Sequence, residues 1–401
     1  MTSPALAVWN GGKKSGILGR NDGYFFNYLP DTSAEQLVSL TMPLRLQSWV
    51  SEKELHPIFQ MNIPEGALRE ALRNSFAKVM VVDDVALLRI TGGNQIGRNR
   101  FSLADAETAT LDEKPESLEE ILTYPDASAL FNELLSRYAA NSGISGIQPK
   151  VILNATRRAT VAASSYIVKS WGMEYPQLAA NEYFCMTAAK RAGLPVADFS
   201  LSGNGGLFVM KRFDVTEAGE LLGFEDFCSL QGVGTERKYQ STYERVARTI
   251  KDFVSAEALS AAREQFFATL VLSIMIRNGD AHLKNFGVLY RHPHGPVTLA
   301  PAYDLVTTTA YLQHDVPALH LAGTKKWWPA KILERFAVQQ LSLSPRKVAQ
   351  IIERVAEAVN DTAGLIPSHI LDNPEFGEIG TRMVAIWQQG VDAFAPSRTR
   401  C

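Results

Sequence analysis

The feature that most constrains this chain is a polar loop set between two apolar segments. Phe266 to Ile276 is its longest apolar run, broken only by Thr269 and Ser273 and stopped at Arg277. That is far short of the ~20 residues a membrane-spanning helix needs. It reads as a helix buried in a protein core. The loop Asn278-Gly279-Asp280-Ala281-His282-Leu283-Lys284-Asn285 follows at once, and Phe286-Gly287-Val288-Leu289-Tyr290 then reads as a strand. A loop pinned between a buried helix and a strand holds its side chains rigidly.

The rest of the chain gives that helix a domain to be buried in. At roughly 150 residues per domain, 401 residues suggest two or three. The 46% apolar and 20% charged composition excludes a wholly disordered or fibrous chain. A net charge of −2 leaves no global basic excess for non-specific binding to nucleic acid or membranes. Cys185, Cys228 and Cys401 are too few and too scattered for a disulfide framework or a structural zinc site, so a reducing cytoplasm is expected. Met1 to Pro4 lacks the basic start of a signal peptide.

Residues 5–30 read as short strands around the Asn10-Gly11-Gly12 turn. Asn62 to Val82 reads as a helix with Pro64 near its start, and Thr91-Gly92-Gly93-Asn94 as a breaker. Val151-Ile152-Leu153 and Tyr166-Ile167-Val168 read as strands about a polar turn, Asn154 to Arg158. Leu178 to Ala192 reads as a helix stopped by Gly193, and Leu207 to Met210 as a strand. From about Glu225 the signals are mostly helical. The expected class is α+β, an α/β front half before a helical back half, divided as 1–105, 106–222 and 223–401.

Asp280 and Asn285 stand five apart, the separation found in kinase catalytic loops. There the Asp receives the acceptor hydroxyl's proton and the Asn oxygen binds magnesium. Asp304, at the end of Leu299-Ala300-Pro301-Ala302-Tyr303, is a second carboxylate suited to magnesium on nucleotide phosphates. His282 fits a loop brace, and Lys284 fits either a phosphate contact or a solvated cation. Asn141 to Lys150, with Gly143 and Gly146, fits a phosphate-covering loop or an ordinary turn. Lys169 ends a strand. Glu182 has Cys185, Met186 and Ala189 on its own helix face, where a lone carboxylate is costly, so a Lys169–Glu182 pair is expected.

With these residues assembled, the chain resembles the HipA-like serine/threonine kinases, toxins of bacterial toxin–antitoxin modules. The matching strings are Ser145-Gly146-Ile147-Gln148-Pro149-Lys150, Asn181-Glu182-Tyr183, Lys211-Arg212-Phe213-Asp214, Gly279 to Asn285 and Pro301 to Asp304. The Trp9-to-Arg20 region resembles that family's N-terminal subdomain. The resemblance implies a two-lobed protein-kinase-like fold with ATP and Mg2+ between the lobes. It implies Asp280 as catalytic base, Asn285 and Asp304 as metal ligands, and Lys169 on the phosphates. Ser145 and Gly146 would border the nucleotide, with Glu182, His282 and Lys284 around it and the backbone from Met210 through Lys211 to Phe213 as hinge.

Family members phosphorylate aminoacyl-tRNA synthetases, glutamyl-tRNA synthetase above all. They phosphorylate a serine of their own glycine-containing loop, and bind a HipB-like helix-turn-helix antitoxin that carries them to operator DNA. Some members carry the inhibitory serine where this chain has Gly143, so Ser145 is the expected self-modified residue, ahead of Ser142. A phosphate there would repel nucleotide or expel the loop. A small-molecule phosphotransferase and a kinase-shaped corepressor remain alternatives.

Overall fold

In a computed structural model, residues 4–76, 82–106, 115–145, 148–157 and 163–394 are described. The first hairpin forms where the turn residues demand it. Gly11 and Gly12 both take positive φ (58° and 77°), which lets β1 (Leu6–Asn10) fold straight back as β2 (Lys13–Arg20). β3 (Tyr24–Tyr28), β4 (Trp49–Ser51) and β5 (Asn99–Leu103) complete an antiparallel sheet of order β4-β3-β2-β1-β5. The helices Gly66–Phe76 and Asp84–Thr91 accompany it. The last residues of the helix expected over 62–82 lie partly outside the described residues.

The second sheet holds β6 (Glu116–Ser117), β7 (Lys150–Thr156), β8 (Ser164–Lys169), β9 (Phe199–Leu201) and β10 (Phe208–Lys211) in the order β6-β7-β8-β10-β9. Here the expected turn at Asn154 to Arg158 needs correction. Asn154 and Ala155 pair with Ser165 and Ser164, so ladder bonds carry the strand through polar residues. The helix Leu178–Arg191 ends at Gly193, whose φ of +73° breaks it.

A small sheet of β11 (Gly223–Asp226), β12 (Gly287–Tyr290) and β13 (Val297–Leu299) leads into the helical part. Its centre is the helix Ala256–Met275, buried continuously from Phe266 to Met275. The helices Tyr243–Phe253, Ala330–Leu341, Pro345–Ala363 and Gly377–Asp392 surround it. No described helix is long and apolar enough to cross a membrane. The α+β class read from the sequence is the class observed.

Candidate active site

The site is built where the second sheet meets the helical part. Lys169 closes β8 directly opposite Lys150, the first residue of β7. Cross-strand partners share a face of the sheet, so both ammonium groups are directed to one side. Lys169 Nζ donates to Glu182 Oε1 at 2.6 Å, and both side chains are buried. The same ammonium donates to Asp304, which follows β13 in the helical part. Burial works against the Lys169 charge, but the Asp304 and Glu182 carboxylates overcome it and hold the ammonium above its ordinary pKa. Burial likewise disfavours the Asp304 charge, and Lys169 and Lys150 outweigh it, holding that carboxyl well below the usual range.

Lys150 is the residue that sequence reasoning passed over, although it ends the string beginning at Ser145. It is 4% exposed, and its ammonium makes no hydrogen bond or ion pair with any described residue. Burial lowers its pKa, and Asp304 opposes the shift.

The loop after the buried helix reaches the same place. Gly279 N–H donates to Thr308 Oγ1 at 2.7 Å, and a Cβ at Gly279 would meet the end of the Asp315 side chain. Asn285 Oδ1 accepts from His282 N–H at 3.2 Å, and its Nδ2 lies 3.5 Å from the Asp304 carbonyl. The Tyr303 hydroxyl donates to the Lys284 carbonyl at 2.7 Å, joining the two stretches again. Asp304 takes φ = +53°, a left-handed conformation rare outside glycine and concentrated at functional positions.

His282 is buried and its ring pKa is pushed down to about 4, chiefly by that burial, so it is neutral at pH 7 and suits a brace. Lys284 does not stand free. Its ammonium pairs with Glu65 at 3.0 Å, and Lys238 pairs with the same carboxylate at 3.1 Å. Glu65 lies in the N-terminal region, just before the helix Gly66–Phe76, and no signal in its own neighbourhood announces the contact.

Met210 lies within β10, and the N–H groups of Lys211 and Arg212 are spent on the Asp198 and Ser165 carbonyls. The Lys211 side chain turns outward to Glu217. Phe213 remains: its amide pairs with no described residue, and its ring packs on Phe224 and on Tyr303, beside Asp304. In the glycine-containing loop, Ser142 is fully buried. Its hydroxyl donates to the Tyr138 carbonyl and accepts from Ile152 N–H, which leaves it unsuited to modification. Gly143 pairs with Gln95, and a side chain there would run into Gln95, so a serine does not fit as the loop stands. Ser145 is half-buried; Gly146 lies outside the described residues.

No group of three or more His, Cys, Asp or Glu converges as a metal cage among the described residues. A magnesium ion carried on nucleotide phosphates needs no such cage, because one or two protein oxygens suffice. The Asp304 carboxylate and the Asn285 amide oxygen are hard donors of the kind this requirement asks for. The two residues are neighbours through Asn285 Nδ2 and the Asp304 carbonyl, while the amide oxygen accepts from His282 N–H.

Residues 142–363 match the model of the HipA-like C-terminal domain, and residues 6–102 that of the HipA N-terminal domain. The chain is 29% identical to "Putative kinase Y4dM" of Sinorhizobium fredii over 286 residues, 67% of this chain and 66% of that protein. It is 28% identical to "Putative kinase Y4mE" of the same organism over 394 residues, 90% and 92% of the two chains. HipA of Shewanella oneidensis MR-1, solved with HipB and operator DNA, aligns with a TM-score of 0.67 at 19% identity, over 96% of this chain and 97% of that one. That likeness concerns the fold, which is two-lobed and kinase-like. A C-terminal model covering more than half of the residues, preceded by its own N-terminal model, makes this chain a member of the HipA family.

Proposed function

We propose that the chain is an ATP-dependent serine/threonine-protein kinase. The observation that carries this reading is the Lys169 ammonium, which joins a carboxylate on the helix packed against its sheet to Asp304 of the helical lobe. A strand lysine paired with a helix glutamate is the arrangement that kinases use to hold the α- and β-phosphates. In this role Lys169 and Lys150 bind phosphate oxygens, Phe213 meets the adenine, and Asn285 and Asp304 hold Mg2+. A Mg2+ held by these two residues would neutralise the phosphate charge that builds up in transfer. Asp280, whose side chain is 47% exposed, accepts the proton of the acceptor hydroxyl. His282, uncharged, braces the loop between Asp280 and Asn285.

The acceptor in this reading is a Ser or Thr of an aminoacyl-tRNA synthetase of the glutamyl type, and its modification arrests translation in the cytoplasm. Ser145 is the self-phosphorylated residue that switches the enzyme off. A HipB-like antitoxin neutralises the kinase and carries it to operator DNA, as the partners solved with the Shewanella protein suggest. The working boundaries are 1–105 for the N-terminal subdomain, 106–222 for the front lobe and 223–401 for the helical lobe.

The test is incubation of the full chain with γ-labelled ATP, Mg2+ and purified synthetases, with peptide mapping of residues 141–150. Label is expected on a synthetase and on Ser145, and Asp280→Asn should lower transfer by about a thousandfold. An Asp280→Asn protein that labels as fast as the parent overturns the assignment.

A further inference from the structure

Tyr239 has no part in the roles above, yet its phenol touches the carboxylate on which they turn. It follows the single-turn helix Thr235–Arg237, which is fastened to the polar loop by a hydrogen bond from Leu283 N–H to the Lys238 carbonyl at 3.2 Å. Its ring stands edge-on to His282, with centroids 5.0 Å apart. Its hydroxyl donates to Asp280 Oδ1 at 2.6 Å. Among the described residues no other side chain hydrogen-bonds to this carboxylate, since His282 Nε2 is 3.9 Å from the same oxygen. Burial first, and then the Asp280 charge, raise the phenol's pKa, so the tyrosine keeps its proton and is the donor.

A half-exposed carboxylate without a tether is free to rotate, and a base that rotates is seldom aligned with its proton. An ionised carboxylate has two oxygens and about four acceptor positions. One oxygen held by a phenol leaves the other for the incoming hydroxyl. We infer that Tyr239 is a positioning residue that orients Asp280 towards the acceptor. The inference rests on the proposed kinase reading. In transfer the acceptor's proton passes to Asp280, the acceptor oxygen bonds to the γ-phosphorus as the bond to ADP breaks, and Tyr239 keeps its own proton.

Tyr239→Phe in the full chain tests this, because it removes one oxygen and keeps the ring that packs on His282. The measurement is the initial rate of transfer from labelled ATP and Mg2+ to dephosphorylated casein and to the chain itself. A loss of orientation should lower kcat on the order of tenfold. The KM for ATP and the melting temperature should not move. In an Asp280→Asn background the same substitution should cause no further loss, since the phenol would then have no base to orient.

An unchanged kcat, a faster one, a parallel rise in KM for ATP, or an additive loss beside Asp280→Asn would each overturn the inference. A faster rate would mean that the phenol competes with the acceptor. A parent protein that transfers no phosphate to either acceptor fails the kinase reading itself, whereas a transferring parent with an unaltered Tyr239→Phe variant fails only the tyrosine.

Discussion

Two buried ion pairs in this molecule look alike in burial and differ in how completely they are satisfied. Arg212 and Asp214 are each 1% exposed at the side chain. Arg212 meets both carboxylate oxygens, the Asn94 side chain and the Gln95 carbonyl, and Asp214 also accepts from Gly97 N–H at 2.6 Å. Around Lys169 the accounting is incomplete. Among the described residues neither Glu182 Oε2 nor the Lys150 ammonium has a partner, and Asp304 keeps 35% of its side chain open to solvent. A buried charge with all its hydrogen bonds made is a structural joint, here tying residues 94–97 to the end of β10. A buried cluster with capacity left over is unusual in native proteins and marks a place where something else binds.

One isosteric change, made at both places, should separate them most sharply. Asp304→Asn should lower phosphate transfer at least a thousandfold, about 4 kcal/mol of transition-state stabilisation. Its cost in stability should stay below that of the change at Asp214, because 35% of the Asp304 side chain is open to solvent, which screens the pair. Lys169 keeps Glu182, and asparagine tolerates the positive φ at this position. Asp214→Asn should do the reverse. It leaves the Arg212 guanidinium buried without a counter-charge, which costs about 3–4 kcal/mol, read by urea denaturation. Per folded molecule, its transfer rate should stay near that of the parent. If Asp214→Asn silences the enzyme while leaving it stable, the two pairs do not differ in the way proposed.

Glu65 offers a smaller test, because it resembles the Lys169 cluster inverted: one carboxylate shared by two ammonium groups. Its bonds are made on both sides, so it should behave as a joint between the N-terminal region and the polar loop. Burial alone would raise its pKa, but Lys284 and Lys238 overcome that and hold it at about 2, against an ordinary value of 4.5. A carboxyl whose folded-state pKa is depressed stabilises the protein above the unfolded value and loses that stabilisation as pH falls through the folded one. Glu65→Gln should therefore cost on the order of 2 kcal/mol at pH 7. The stability curves of variant and parent should converge as pH drops from about 5 towards 2, measured by urea denaturation across that range. A constant gap would mean that shape rather than charge holds the contact.

These joints also show what the sequence carried and what it did not. The helix face of Glu182 was enough to require a cation, and the strand end at Lys169 supplied it thirteen residues earlier. The spacing of Asp280 and Asn285 and the apolar run before them place the loop correctly. Lys238 and Tyr239 sit in a segment with no local pattern, and their partners Glu65 and Asp280 are 173 and 41 residues away. Periodicity reports which face of an element is buried and is silent on what lies across it. Asn154 fails for a different reason: a turn-forming residue was overruled by pairing with β8. The helix Ala127–Tyr138 was legible in principle, since Leu130, Phe131, Leu134 and Tyr138 recur at helical spacing.

Lys150 sharpens the comparison at its weakest point, because a joint and a binding group make opposite demands on it. Lys150→Met keeps the buried stem and removes the unpaired ammonium. If that charge is held ready for phosphate oxygens, the KM for ATP should rise about tenfold, roughly 1.4 kcal/mol. Folding stability at pH 7 should change little, since no hydrogen bond is lost and Lys169 still holds Asp304. The pH dependence follows from the lowered pKa. Where the folded lysine has given up its proton and the unfolded one, near 10.4, has not, the unfolded chain binds more protons, so stability rises with pH. Thermal melts of the parent protein should show that rise below pH 10.4, and melts of Lys150→Met should lack it. A variant that melts lower and binds ATP as before would place Lys150 with Arg212 and Asp214, as a structural group whose partner is the fold itself.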